Sequence, residues 1–123
     1  MDETLITGGC LCGAVRYAMT DAPLYMGYCC CADCRKASGS GFAPFIGVAA
    51  SAVSFSGETS VFTCKAANGG DSDRNFCPQC GSLLFGGIDD PSKFQPTIAI
   101  FNRDRPDWVI LPPGLTVFET MPG

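Results

Sequence analysis

The residues in this chain best suited to chemistry are its cysteines, which are grouped at spacings typical of metal ligands. Seven of the nine are separated within their groups by only one or two residues. These are Cys10 and Cys12, then Cys29, Cys31 and Cys34, then Cys77 and Cys80. A short loop can direct several thiolates onto one ion about 2.3 Å away, which suits tetrahedral zinc. The spacing therefore predicts metal sites built from cysteine sulfur.

The two outer groups together supply four sulfurs, enough to complete a tetrahedral shell. Cys10, Cys12, Cys77 and Cys80 are therefore predicted to hold a structural zinc ion. Pro78 fixes a turn between the last two, and glycines beside both groups give the backbone the freedom such turns need. An alternative is that either pair is a redox dithiol, but two pairs fit one metal better. A shared ion would join the start of the chain to a late segment and so stabilise a small fold.

The middle group, Cys29, Cys31 and Cys34, supplies three sulfurs and is predicted to hold a second zinc ion. Catalytic zinc sites keep a coordination position for water or substrate. Three thiolates on a dication leave one net negative charge, so this site suits a soft ligand such as another thiolate, whose pKa it would lower. Arg35 and Lys36 follow directly. Their side chains are expected either to offset the negative charge of the site or to bind a substrate carboxylate. The alternative, which is favoured for Lys36, is that they are solvated side chains on a short helix.

The two remaining cysteines leave an alternative open. If Cys30 or Cys64 supplied a fourth sulfur, the middle site would be closed and structural. Cys30 is otherwise expected to be a buried small side chain or an oxidisable thiol near the site. Cys64 lies on a predicted strand and is expected to belong to the core.

Composition and charge exclude several functional classes. The chain has no histidine, which excludes a Ser-His-Asp triad, a Cys-His nucleophile and a histidine base. Its formal net charge of −4 argues against a nucleic-acid partner. No phosphate-binding glycine loop is present. The N-terminal residues show no secretory signal, so we expect a cytoplasmic protein with reduced thiols. The uncharged stretch 37–57 contains several Ser and Gly residues and Pro44, so no membrane span is expected.

The hydrophobic pattern predicts one mainly β domain over residues 1–123, with at most one or two short helical turns. A helical turn is expected at Asp33–Ser38, and Ala66–Asp73 is predicted to be a polar loop. The predicted strands are Val15–Met19, Leu24–Cys29, Phe42–Val48, Val53–Phe55, Ser60–Thr63, Ser82–Gly87, Thr97–Asn102 and Trp108–Leu111.

Residues around all three cysteine groups resemble one known family, the glutathione-dependent formaldehyde-activating enzymes, which include centromere protein V. The resemblance covers nearly the whole chain, including Asp89-Asp90-Pro91 and Trp108 near its end. The matching motifs are Gly8-Gly9-Cys10-x-Cys12-Gly13-Ala14-Val15-Arg16-Tyr17, Tyr28-Cys29-x-Cys31-x-x-Cys34-Arg35-x-x-Ser38-Gly39, Phe76-Cys77-x-x-Cys80-Gly81-Ser82 and Pro96-x-x-Ala99-Ile100-Phe101.

The resemblance implies a small, zinc-stapled, tent-like β fold with the outer cysteines on a structural zinc and the middle three on a catalytic zinc. It also implies a carbon–sulfur lyase that, in reverse, joins glutathione and formaldehyde into S-hydroxymethylglutathione. A zinc-stabilised module that binds a partner without catalysis is the alternative, and a thiol redox sensor centred on Cys30 is a third. Two positions depart from the family pattern, Cys30 and Ala99, where the family often has histidine.

Overall fold

Short β-strands dominate this computed structural model, which describes residues 5–66, 69–84 and 87–122. The prediction of a mainly β fold is confirmed, and the described residues contain one α-helix, α1 (Ala32–Ser38). The strands are β1 (Ile6–Gly9), β2 (Arg16–Met19), β3 (Tyr25–Cys29), β4 (Ala43–Gly47), β5 (Val53–Ser56), β6 (Ser60–Lys65), β7 (Asp71–Phe76), β8 (Ile98–Ile100) and β9 (Thr116–Val117). Short 3₁₀ turns occur at Ala50–Ala52, Pro91–Lys93 and Asn102–Asp104.

The strands form two small sheets and a hairpin. β1, β2 and β5 make a three-stranded antiparallel sheet in that order. The second sheet has the order β4-β3-β8-β9, with β3 antiparallel to β4 and parallel to β8. β6 and β7 pair with each other as an antiparallel hairpin. The middle cysteine group begins at the end of β3, inside the second sheet.

One hydrophobic cluster joins the two sheets. The strand β2 shows the alternation expected of a half-buried strand, with Tyr17 and Met19 buried. The buried members of the cluster are Ile6, Tyr17, Met19, Met26 and Ile46. Burying one such side chain contributes about 1.5–3 kcal/mol. These contacts hold β3, and with it Cys29, against the first sheet.

The backbones of β3 and β8 approach closely at Gly27. A Cβ at this position would lie 2.6 Å from the carbonyl oxygen of Ile98 and 2.9 Å from the ring of Phe45. Glycine is therefore required where β8 packs beside β3. This pairing places Ile100 opposite Cys29.

One loop prediction and two strand predictions differ from the structure. The segment Ala66–Asp73, predicted as a loop, contains the start of β7, and Ala67 and Asn68 lie outside the described residues. β7 is polar because none of its residues is fully buried; Thr63 Oγ1 donates to Asp73 Oδ1 (2.8 Å) and Lys65 Nζ to Asp71 Oδ1 (2.8 Å). Side-chain pairs across the hairpin stabilise this strand, so it lacks the alternation of apolar residues that usually indicates a strand.

The predicted strand Ser82–Gly87 is reduced to a single bridge between Leu83 and Phe76 in the described residues; Phe85 and Gly86 lie outside them. The predicted strand Trp108–Leu111 shows alternating burial, with Val109 buried between two exposed side chains. It nevertheless pairs with no strand in the described ranges. β9 instead occupies the edge beside β8.

β1, Ile6–Gly9, was not predicted because two of its four residues are glycines. The uncharged stretch 37–57 contains β4, a 3₁₀ turn and β5. Among the described residues, no helix is long and apolar enough to cross a membrane.

Candidate functional site

The four outer cysteines come together as the sequence predicted. All four Sγ atoms lie within 4.8 Å of one another. The Sγ–Sγ distance is 3.6 Å between Cys10 and Cys12 and 3.7 Å between Cys12 and Cys77. A tetrahedron with metal–sulfur bonds of about 2.3 Å has edges of about 3.8 Å. The sulfurs therefore fit one tetrahedral zinc ion.

Two tight turns present these sulfurs, and backbone amides point at them. Cys10 and Cys12 lie between β1 and β2, and the other two cysteines follow β7. The amide of Val15 donates to Cys10 Sγ (3.2 Å) and that of Gln79 to Cys77 Sγ (3.4 Å). Gly81 has φ 76°, a left-handed conformation that favours glycine and closes the second turn. Such amide contacts orient thiolates for a metal.

Ser82 links the two turns, a role that the sequence did not reveal. Its Oγ lies 3.2 Å from Cys80 Sγ and accepts a hydrogen bond from the amide of Leu11 (3.1 Å). The hydroxyl of Ser82 is the largest cause that lowers the pKa of Cys80, to about 5. Ser82 belongs to the third cysteine motif, directly after Gly81. Neither its residue type nor its spacing indicated a contact with the first turn.

The outer cluster is packed as part of a small core. Cys10, Val15, Cys77 and Leu84 form one buried group, and Cys77 is fully buried. Cys12 is exposed. A site whose four sulfurs complete a metal shell, set against buried side chains, is suited to hold distant segments together rather than to bind substrate.

The middle cysteines also come together, at the junction of β3 and α1. Cys29 ends β3, Cys31 caps the N-terminus of α1, and Cys34 lies in its first turn. Their Sγ atoms lie within 4.8 Å of one another. The amide of Cys34 donates to Cys31 Sγ (3.3 Å), so the cap and the predicted metal ligand are the same atom. Helix capping thus orients the sulfur of Cys31 relative to α1, whereas Cys29 is placed by β3.

The three thiols do not ionise alike. A hydrogen bond with Cys29, helped by Cys31 and by the guanidinium of Arg74, lowers the pKa of Cys34 to about 6. The same hydrogen bond, together with burial, raises the pKa of Cys29. Cys34 is therefore the thiol that most readily becomes a thiolate, the form that binds metals.

In the part of the chain that the structure describes, the middle cluster borders two cavities of substrate size. Two cavities, of about 390 Å³ and 490 Å³, share Cys29, Cys34, Ser72 and Arg74 as lining residues. No cysteine of the outer cluster lines either of them. Volumes in this range are typical of small-molecule sites. The division into a structural and a catalytic cluster stays a prediction, with which this arrangement is compatible.

Arg74, rather than Arg35, is the cation at the middle cluster. Its guanidinium nitrogens lie 3.8 Å and 4.0 Å from Cys34 Sγ. Arg35 instead donates from Nε to the carbonyl of Cys30 (3.2 Å), and Lys36 is exposed. The sequence did not reveal Arg74, because the residue directly follows the segment Ala66–Asp73 that was expected to be a loop and lies on a strand that was not predicted. The pairing of β7 with β6 is what brings it to the site.

Cys30 and Cys64 do not join the metal-ligating groups found among the described residues. Cys30 is fully buried, as expected of a small core side chain. Cys64 is only partly buried and contacts the guanidinium of Arg74; its expected place in the core was wrong, because β6 belongs to the largely exposed hairpin. The middle group therefore offers three sulfurs.

Of the two positions that depart from the family pattern, neither borders the cavities. Ala99 is fully buried in β8, and Cys30 is equally buried. Side chains of neighbouring strand residues point to opposite faces, so Ala99 faces away from Ile100, which lines the smaller cavity. Both side chains therefore lie in the protein interior and outside the lining of the two cavities.

Comparison with known proteins decides the family. The family model described as glutathione-dependent formaldehyde-activating enzyme matches residues 5–102, a span that includes both clusters. The chain belongs to this family. A comparison with curated proteins finds no match. Within a glutathione-dependent formaldehyde-activating enzyme domain, the soft sulfur donors and their spacing fit zinc at both clusters.

Proposed function

We propose that this member of the glutathione-dependent formaldehyde-activating enzyme family is a zinc-dependent carbon–sulfur lyase. In the synthetic direction it joins a small thiol, such as glutathione, to a small aldehyde, such as formaldehyde. The observation that carries the proposal is that the three-cysteine cluster, and not the four-cysteine one, borders the two cavities. A metal site that lacks one protein ligand and opens to a pocket is typical of catalysis.

Cys29, Cys31 and Cys34 would hold the catalytic ion, and Cys10, Cys12, Cys77 and Cys80 the structural one. Zinc at the first site would lower the pKa of a thiol and polarise a carbonyl group. Free thiols are a condition for both sites, which supports a reducing compartment such as the cytoplasm.

The chain's own residues would bind and orient the reactants. The smaller cavity is lined by both apolar and charged side chains; Ile100 and Phe101 supply apolar surface that would contact the aldehyde. In the reaction, the substrate thiol loses its proton, its sulfur bonds to the carbonyl carbon as the C=O π bond opens, and the carbonyl oxygen takes up one proton. In the absence of histidine, Asp33 and Asp104, the carboxylates that line this cavity, are the groups placed to move that proton.

The test is formation of S-hydroxymethylglutathione from glutathione and formaldehyde, followed by exchange NMR against the uncatalysed reaction. We expect the zinc-loaded protein to accelerate the exchange, and we expect protein stripped by a chelator to lose that effect. An exchange rate equal to the uncatalysed one, measured with protein shown to carry two zinc ions, would reject the proposal.

Metal content gives a second prediction. Native mass spectrometry of reduced protein is expected to show two zinc ions per chain, because the sulfurs of both clusters have spacings that fit the ion. Cys34→Ala should show one, whereas Cys64→Ala, which changes a cysteine outside both clusters, should keep two. A wild-type protein that holds a single ion in excess zinc would contradict a second site.

A partner-binding module without catalysis is the second candidate. It is favoured by the exposed side chains of Trp108 and Ile110, which are 73% and 84% accessible. Thiol affinity separates the two candidates, because such a module has no reason to bind glutathione at the three-cysteine cluster.

A further inference from the structure

Arg74 connects the β6–β7 hairpin to the middle cluster. It lies on β7 opposite Phe62 of β6, and its side chain reaches α1, where both terminal nitrogens approach Cys34 Sγ (3.8 Å and 4.0 Å). The same guanidinium also contacts the sulfur of Cys64. The guanidinium is therefore directed toward Cys34 of α1.

The charge of Arg74 is also unusual among the cations that line the smaller cavity. Lys65 pairs with Asp71 (2.8 Å), and Arg103 lies 3.7 Å from Asp104. Within residues 5–66, 69–84 and 87–122, no carboxylate forms a salt bridge with Arg74. Its positive charge is therefore directed at sulfur, at the boundary that both cavities share.

We propose that Arg74 determines ligand charge at the three-cysteine site, so that this site selects an anion, and above all a thiolate, over a neutral ligand. Three thiolates and a dication carry one net negative charge, and an added anion makes two. Without a nearby cation, the negative charge of the three-thiolate site favours a neutral fourth ligand. A guanidinium within 4.0 Å of Cys34 Sγ offsets one negative charge, and opposite charges at such distances stabilise the anionic form substantially. Arg74 is thus a positioning and specificity residue.

This inference concerns the charge of the ligand, and only its choice of a thiolate rests on the proposed function. The probes are azide as a simple anion, imidazole as a neutral ligand and 2-mercaptoethanol as a thiol. Protein with Co²⁺ in place of zinc reports binding through its visible spectrum. The variants are Arg74→Gln, which removes the charge, and Arg74→Lys, which keeps it. Arg103→Gln is the matched control, because Arg103 lines the same cavity but pairs with Asp104.

For Arg74→Gln we expect the affinity for azide and for 2-mercaptoethanol to fall about tenfold while imidazole affinity stays the same or rises. Arg74→Lys should recover much of the loss, and Arg103→Gln should behave like the wild type. An equal change for azide and imidazole in Arg74→Gln, or no change for either, overturns the inference. A wild-type protein that binds azide but no thiol overturns the proposed function and leaves the charge selection standing. Failure of all three probes to bind overturns both.

Discussion

Cys77→Ala is expected to destabilise the protein far more than Cys34→Ala. We expect Cys77→Ala to lower the free energy of unfolding by roughly 5 kcal/mol or more, comparable with the whole stability of a small domain. For Cys34→Ala we expect a loss of about 1–2 kcal/mol. The measurement is urea unfolding of zinc-loaded protein, followed by circular dichroism.

The physical reason is the separation of the segments that each cluster joins. Cys77 is fully buried beside Val15 and Leu84, and its cluster connects the turn after β1 to the turn after β7. The middle cluster closes only a short loop within one stretch of chain. An ion that closes a long loop removes more entropy from the unfolded chain, and its binding energy becomes folding energy. Cys64→Ala is the control for loss of a cysteine outside both clusters, and equal losses for Cys77→Ala and Cys34→Ala would contradict the division of roles.

Cys31→Ser is expected to abolish turnover while it preserves the fold. We expect the rate of S-hydroxymethylglutathione formation to fall at least a hundredfold, since mutations that remove an essential interaction at a metal site have effects of this size or greater. Serine is a preferred helix N-cap, and its hydroxyl can accept the hydrogen bond that Cys34 N now gives to Cys31 Sγ. The helix α1 should therefore persist, whereas a neutral hydroxyl is a poor ligand for zinc.

Activity is measured by exchange NMR, and the far-ultraviolet circular dichroism spectrum shows whether the fold is retained. Cys64→Ser is the matched control, because it makes the same chemical change at a cysteine outside both clusters, and it should retain most of its activity. Wild-type turnover in Cys31→Ser would show that the three-cysteine cluster is not the reactive site.

The sequence predicted both cysteine clusters because ligand spacing is a local property of the chain. It also predicted β2 to β6 and β8 in outline, since β2, β3, β4 and β8 bury apolar side chains. It could not predict β7, whose residues are polar and whose pairing with β6 depends on contacts across the hairpin. Arg74 was missed for the same reason, and Ser82 because its contact with Leu11 joins two turns far apart in the chain.

One segment of the chain serves both clusters. Arg74 contacts Cys34 from within β7, and Cys77, a predicted ligand of the outer cluster, follows three residues later along the same backbone. A strand rises about 3.3 Å per residue, so the two positions are about 10 Å apart along the chain. A substitution in β7 therefore has to be checked for the metal content of both sites, because the same short segment carries a contact of one cluster and leads into a ligand of the other.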